Sequence, residues 1–578
     1  NVLLGGDGND MLAGRNGDDL LDGQNGDDVL NGGNHDDTYR FPSATAAESD
    51  TVIETSMTGG VDRLDFSSVG AADLVNADLT AGTASHTNRN ITLTNPQYFE
   101  NVDGVPATDP LVGSAAANTL NGNNGDDTLN GGDGSDLFIG GDGDDRYVFE
   151  STSVVDIDVI DEQAGGGTDL LDFTNLPGTD NVTVDLSQAT NIAAHVNRSI
   201  KMVTGGNGVN VENVSGGAGD DVITGSNVVN TLVGGPGNDT LHGLGADDTL
   251  QGDAGNNELE GGAGDDTYLF QSGTVATDRL IEDSGAVSGG LAAGGGSDWL
   301  DFSALTTSVT FDLTNTGAQT VDATTIYLQD SACAVPPCPN ADHFENIVGA
   351  PFAVNNLTGN AANNTLLGGL AADNLSGGAG DDLIDGRGGA DGVAGGTGND
   401  IVIGGNASVF DGNDMVSGGD GRDLLVGGEG QDTLQGDADG DILIHGRVDF
   451  GGADVYLVLG ILLNEWTHST NSYADRENAI VNLGVGTSAW QLTVDTTVLS
   501  DGDMETAIVG DVGTDLDLFF VGAGETSDVD TGAGEIQHTT AMAAPLAFGA
   551  IHSEPRRGNL IRQPVAVSDV VVPSRLLA

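Results

Sequence analysis

Lysine occurs once, at Lys201, and lysine and arginine together number 16 against 89 aspartates and glutamates, for a formal net charge of −73 at pH 7. A nucleic-acid binder needs a basic face to meet a polyanion, and this composition offers none. Cysteine occurs twice, as Cys333 and Cys338 in CAVPPC, too few for a disulfide scaffold; a local loop bridge and a pair of free thiols both remain open. The longest apolar run, Val455 to Leu463, is about nine residues, well short of the roughly 20 that span a bilayer, so no membrane span is expected. Glutamate is scarce as well, 17 residues against 72 aspartates. Helix surfaces are usually built from Glu, Lys and Ala, so this balance argues against a mostly helical protein. Catalytic signatures are missing too. None of the nine histidines begins an HExxH motif and no G-x-S-x-G elbow occurs, so no catalytic residue is assigned and no enzyme activity is expected of this chain.

What the chain has in quantity is glycine, 92 residues, and aspartate, and the two are ordered. A nine-residue period opens the sequence: GGDGNDMLA from Gly5, GRNGDDLLD from Gly14, GQNGDDVLN from Gly23 and GGNHDDTYR from Gly32. The unit is G-G-x-G-x-D-x-U-x, with U apolar. Further runs start at Gly113, Gly216 and Gly359, giving 23 units if Asn406 to Ser408 and neighbours form an insertion; U is apolar in all of them. A flexible glycine linker has no reason to place a large apolar group at every ninth residue, whereas a coil that buries one side chain per half-turn does. The first six places are expected to reverse the chain through glycines with positive φ. The last three then form a very short strand with U inward. Two units make an 18-residue coil, and coils stack as parallel strands about 4.8 Å apart.

Stacking brings sixth-place aspartates into columns, Asp10 over Asp28 for example. Two unit charges that close repel by about 1 kcal/mol in water and several times more at a protein surface. A hard divalent cation between successive turns reverses the sign, since carboxylates and turn carbonyls supply the six to eight oxygens that calcium prefers. Magnesium is smaller and strictly octahedral, and zinc would want His or Cys. Calcium is therefore the expected cofactor, and its binding and folding are expected to be one process, because the core is only a column of single side chains.

The GGxGxDxUx unit resembles the repeats-in-toxin, or haemolysin-type, calcium-binding nonapeptide. The ligand turns this implies, with Gly at the fourth place and Asp at the sixth, carry Asp10, Asp19, Asp28, Asp127, Asp136, Asp145, Asp221, Asp239, Asp266, Asp382, Asp391, Asp400, Asp414, Asp423 and Asp432. Units with Asn118, Asn230, Asn257 or Asn364 there are expected to bind poorly or not at all. Each site needs two turns on one edge, so roughly ten to fifteen calcium ions are expected.

The stretches between runs resemble one another: VDRLDFSS from Val61, TDLLDFTN from Thr168 and SDWLDFSA from Ser297, each followed by alternating strand patterns and closed by FENVDG, VENVSG or FENIVG. In this order they are similar to the C-terminal domain of serralysin-type secreted proteases. Tyr39 with Phe41, Tyr147 with Phe149 and Tyr268 with Phe270 are expected to cover the open ends of the rolls. GGADVYLVLGILLNEW from Gly451 and SYADRENAIVNL from Ser472 predict one or two amphipathic helices, with Leu457, Ile461, Leu462 and Trp466 on the apolar face, in a cap over the last roll.

The expected fold is all-β, tandem parallel β-rolls of a calcium-binding β-solenoid separated by β-rich spacers, with a small α+β C-terminal cap. The rolls are placed at 1–41, 112–149, 216–270 and 358–446, the spacers at 42–111, 150–215 and 271–357, the cap at 447–544, and a flexible tail or export signal at 545–578. Asn1 to Leu4 fit places six to nine of a unit, so further sequence is expected upstream. The expected function is that of a secreted, extracellular bacterial protein that folds on calcium. It would serve as a structural or adhesive component of surface, matrix or filament, through self-association or cell-surface contacts. The alternative is the export and folding portion of a larger secreted enzyme.

Overall fold

The computed structural model describes residues 1–444 apart from 45, 55–59, 71–72, 163–165, 204–209, 283–295, 331–343 and 406–410, then 446–448, 455–467 and short strands within 498–539. Cys333, Cys338, the helix expected from Ser472 and the tail from 545 lie outside the described residues. Two compact units are present: Asn1–Leu269 with Thr274–Gly296 and Thr324–Tyr327, and Phe270–Gly273 with Ser297–Ala323 and Leu328–Ala578.

In the first unit the nonapeptides become strands β1 (Val2–Asp7), β2 (Met11–Asn16), β3 (Leu20–Asn25), β4 (Val29–Asn34) and β5 (Thr38–Arg40). β1 pairs in parallel with β3, Leu3 opposite Leu21, and β2 with β4, Leu12 opposite Leu30, so alternate units stack as the period requires. Several strands are longer than the expected three residues. Pairing runs on through the glycines, Gly6 opposite Gln24 and Arg15 opposite Gly33, before the chain turns. The U side chain is buried in every one of the 23 units, from Leu12 through Leu241 to Leu443. Full burial of a Leu contributes about 1.5–3 kcal/mol, and each column presents one such group per coil.

Of the two paths open to the spacers, small sandwiches or wider coils continuous with the roll, the structure takes the second. β5 pairs with β7 (Arg63–Asp65), β7 with Asn101–Asp103, and that strand with Thr119–Asn124 of the next roll. On the other side β6 (Glu48–Ile53) pairs in parallel with Arg89–Thr94, which folds back antiparallel on Thr83–His86 and then Asn76–Asp78. The second spacer repeats this meander with Asp156–Ile160, Arg198–Met202, Asn191–His195 and Thr183–Asp185. Tyr39 and Phe41 therefore do not cover an open end. Both are fully buried, Phe41 stacks on Phe66 at 5.3 Å between centroids, and Phe149 stacks on Phe173 at 5.1 Å.

The second unit holds two ladders of the same kind, one through Asn346–Val348, Thr365–Leu367, Leu383–Asp385 and onward to Ile442–Ile444, the other through Asn355–Thr358 to Thr433–Ala438. Here the residues flanking U are apolar as well. Leu383, Ile401, Ile403, Leu424, Val426, Ile442 and Ile444 face outward and are covered by α1 (Val455–Trp466). The expected helix is present, but its buried face is Val458, Leu459, Leu462, Leu463 and Trp466; Leu457, placed on that face by the sequence reading, is 43% exposed. The reason is the partner: a flat strand face, not a roll end, selects the register. The strands Ala507–Val509 and Leu518–Val521 continue the two ladders past the last repeat.

At Gly398, a fourth-place residue inside the stack, glycine is required by the neighbouring coil as well as by its own φ. Gly398 has φ of +139°, and a Cβ there would lie 1.9 Å from the Gly380 carbonyl oxygen. Gly398→Ala should cost about 2 kcal/mol or more, from left-handed strain plus overpacking, read as a lower melting temperature at fixed calcium.

Candidate metal-binding corners

Each turn wraps its sixth-place aspartate back over its first glycine. A Cβ on Gly122 would meet the Asp127 Oδ2 at 1.9 Å, and one on Gly23 would meet the Asp28 Oδ2 at 2.1 Å, so only glycine leaves room for the carboxylate. The other oxygen, Oδ1, builds the column: Asp10 N–H donates to Asp28 at 2.8 Å, Asp127 N–H to Asp145 at 2.8 Å, Asp382 N–H to Asp400 at 2.8 Å and Asp414 N–H to Asp432 at 2.9 Å. Asp19, Asp136, Asp239, Asp266, Asp391 and Asp423 stand in the same columns, each exchanging such a bond with the coil before or after it.

The Oδ2 atoms divide the turns into two kinds. In Asp10, Asp19, Asp28, Asp127, Asp136, Asp145, Asp239, Asp382, Asp391, Asp400, Asp414 and Asp423 this oxygen is buried and meets no donor. A buried carboxylate oxygen without a donor is costly and calls for a cation. Asp221, read from the sequence as a ligand, differs: its Oδ2 accepts the Gly217 N–H of its own turn at 2.8 Å. Asn118, Asn230 and Asn364 are closed likewise, by the Ser114, Ser226 and Asn360 N–H groups at 2.6, 2.6 and 2.7 Å, and Asp109 and Asp373 by Val105 and Gly369 at 2.6 Å each. The difference lies in the second residue of the turn. It is left-handed in nearly all the open turns, at Gly6, Arg15, Gln24, Asn123, Gly132 and Gly396 for instance, which swings its N–H away from the carboxylate; Gly405, in the turn that ends in Asp414, is the exception.

Two open corners were missed by requiring glycine at the fourth place. Asp37 and Asp248 have the same buried, donorless Oδ2. Their fourth places, His35 and Ala246, hold φ of 80° and 77°, the glycine conformation without the glycine. Asp441, behind Asp439 at φ 71°, also takes its place in the column, accepting from Asp423 N–H at 2.9 Å.

Burial is the largest influence on these carboxyls, pushing Asp127, Asp136, Asp382, Asp391 and Asp423 up to about 8 and Asp414 to about 9. The column N–H opposes this, and neighbouring carboxylates of the same edge add to it. The donor set is oxygen throughout, carboxylate plus turn carbonyl, which suits a hard cation of flexible coordination.

A second arrangement sits where rolls pass into spacers. Asp37, Glu54 and Asp62 are all buried, and one oxygen of each lies within 4.8 Å of the others; Asp145, Glu162 and Asp169 repeat the set. Asp62 continues the column, accepting from Asp37 N–H at 2.9 Å, and Asp169 does so from Asp145 at 2.9 Å. The Tyr39 hydroxyl donates to Glu54 and accepts the Gly32 N–H at 2.7 Å; Tyr147 donates to Glu162. Nothing in the nine-residue pattern marks Glu54 or Glu162.

A family model described as the RTX calcium-binding nonapeptide repeat matches residues 4–39, 112–147, 204–241, 233–268, 358–393 and 409–443. The chain carries RTX calcium-binding repeats. The matched RTX segments hold open corners in all four rolls, with Asp400 falling between the last two segments, while the likeness of the spacers to serralysin-type domains remains one of sequence alone. No curated protein matches the chain.

Proposed function

We propose that this is a secreted RTX protein that folds on calcium outside the cell and serves as a structural or adhesive component of a surface, matrix or filament. The observation that carries the reading is the column of buried aspartate oxygens without donors, repeated coil after coil in both units. Calcium at those corners would be held by Asp10, Asp19, Asp28, Asp127, Asp136, Asp145, Asp239, Asp382, Asp391, Asp400, Asp414 and Asp423, joined by Asp37 and Asp248, with Asp266 and Asp432, which stand in the same columns, as further ligands. The Asp37/Glu54/Asp62 and Asp145/Glu162/Asp169 clusters would supply additional sites. Extracellular modules of this type bind in the 10⁻⁴–10⁻³ M class, so the chain would stay unfolded in a calcium-poor cytoplasm and order on export. Repetition without a catalytic constellation suits an extended surface. Electron microscopy and sedimentation of the calcium-loaded chain across a concentration series test the assembly role. Filaments, sheets or surface-bound layers are expected; a species that stays monomeric and binds no cell surface or matrix at any calcium level overturns it.

A further inference from the structure

The calcium columns of the first and second rolls do not run on unchanged into the spacers. At the first crossing Asp28 N–H donates to Asp50 Oδ1 at 3.0 Å, as in any other coil, but Asp50 Oδ2 is met by the Arg89 guanidinium, whose Nη1 lies 2.8 Å away. Nη2 of Arg89 donates to Glu48 and to the Gln24 carbonyl, the latter at 2.5 Å. Gln24 is the second residue of the turn that ends in Asp28. Glu48, Asp50 and Arg89 are each at most 6% exposed.

The second roll repeats the arrangement. Asp136 N–H donates to Asp158 Oδ1 at 2.9 Å, and Arg198 places Nε 3.2 Å from Asp158 Oδ2 and Nη2 3.6 Å from Asp156. Nη2 of Arg198 also donates to the carbonyl of Gly132, again the second residue of its turn. Strand register is the same in both, Arg89 opposite Glu48 and Arg198 opposite Asp156.

We propose that Arg89 and Arg198 are built-in cations that occupy the position of a calcium ion at the last corner of their edge, between a nonapeptide turn and the spacer strand stacked on it. A guanidinium supplies what an ion would: positive charge against two carboxylates, and a partner for a turn carbonyl. It differs in being present at any calcium concentration. The third roll shows the charge logic by omission. Thr324 stands where Arg89 and Arg198 do, Ala276 replaces Glu48 and Asp156, and Asn257 replaces Asp28 and Asp136. Its amide donates to Asp278 at 2.9 Å. The arginine is lost together with one of the two carboxylates it contacts and with the corner aspartate of the turn beneath it, as expected if its work is neutralisation.

The inference rests on calcium filling the other corners, and the test separates the two. Ion content of the full chain is measured by mass spectrometry after equilibration in saturating calcium, with thermal melting alongside. Arg89→Met and Arg198→Met should each take up one more calcium than the unsubstituted chain, and their melting temperatures should depend more steeply on calcium. Arg89→Lys, which keeps a positive charge, should gain none. An unchanged ion count in both Met variants, or failure of either to fold even in saturating calcium, overturns the inference. An unsubstituted chain that binds no calcium would instead overturn the calcium reading itself.

Discussion

Chelating calcium at neutral pH should abolish the strand signal in far-UV circular dichroism and leave a spectrum of unordered chain. The stability of a domain is about 5–15 kcal/mol. One site at a hundred times its dissociation constant contributes about 2.7 kcal/mol to the folded state, so ten such sites exceed the whole of that stability. The core cannot make up the loss, since each coil adds only one U side chain to each column and the corner carboxyls around them are buried with oxygens that meet no donor. Calcium addition should restore the spectrum in a steep titration, because each coil presents its neighbour's ligands. Magnesium at the same concentration should restore much less. A melting temperature unchanged by chelator would sink the calcium-coupled account.

Acid should partly do what calcium does. Burial raises the folded-state affinity of Asp127, Asp136, Asp382, Asp391 and Asp423 for protons, to about 8, against about 4 in an unfolded chain. The metal-free folded state therefore holds more protons than the unfolded one between those values. Its stability from this source is complete below about pH 4 and is lost as pH rises toward 8. Calcium-free protein should regain strand content on acidification to about pH 4.5 and lose it again on return to pH 7.5, whereas the calcium-loaded form should show the opposite order, weakening as protons displace the ion. A circular dichroism pH titration at two calcium levels checks both signs. Metal-free protein that stays unordered at pH 4.5 would show that the column is held by ion coordination alone.

The rolls were legible in the sequence because one apolar side chain per nine residues has a single structural solution, and Leu21, Leu129, Leu250 and Leu425 all lie where the period puts them. The corner aspartates followed from the same register. The spacers were less legible: the nine-residue count stops at Tyr39, yet Asp50 and Asp62 keep their place in the columns at spacings of 22 and 25 residues that no fixed period reveals. Asp37 and Asp248 were hidden because a motif asks for glycine where the backbone asks only for a left-handed residue, which His35 and Ala246 supply. Asp221 differs from the other motif aspartates in a way the letters do not show. Its turn has every letter of the motif, yet its Oδ2 accepts a backbone N–H from Gly217. The outward apolar triplets of the fourth roll announced a partner, but only the strand face fixed which side of α1 would meet it.

The turns closed by their own backbone are placed in a pattern. Those ending in Asp109 and Asn118, in Asp221 and Asn230, and in Asn355, Asn364 and Asp373 stand at the head of the second, third and fourth rolls, and the donorless corners follow them. Every one of these rolls thus begins on steps that stand without any ion, offering a finished edge on which the first cation-dependent coil can be laid. Growth in these rolls is accordingly expected to be polar, seeded near the amino end of each and advancing toward the carboxyl end, much as a crystal grows from a prepared face.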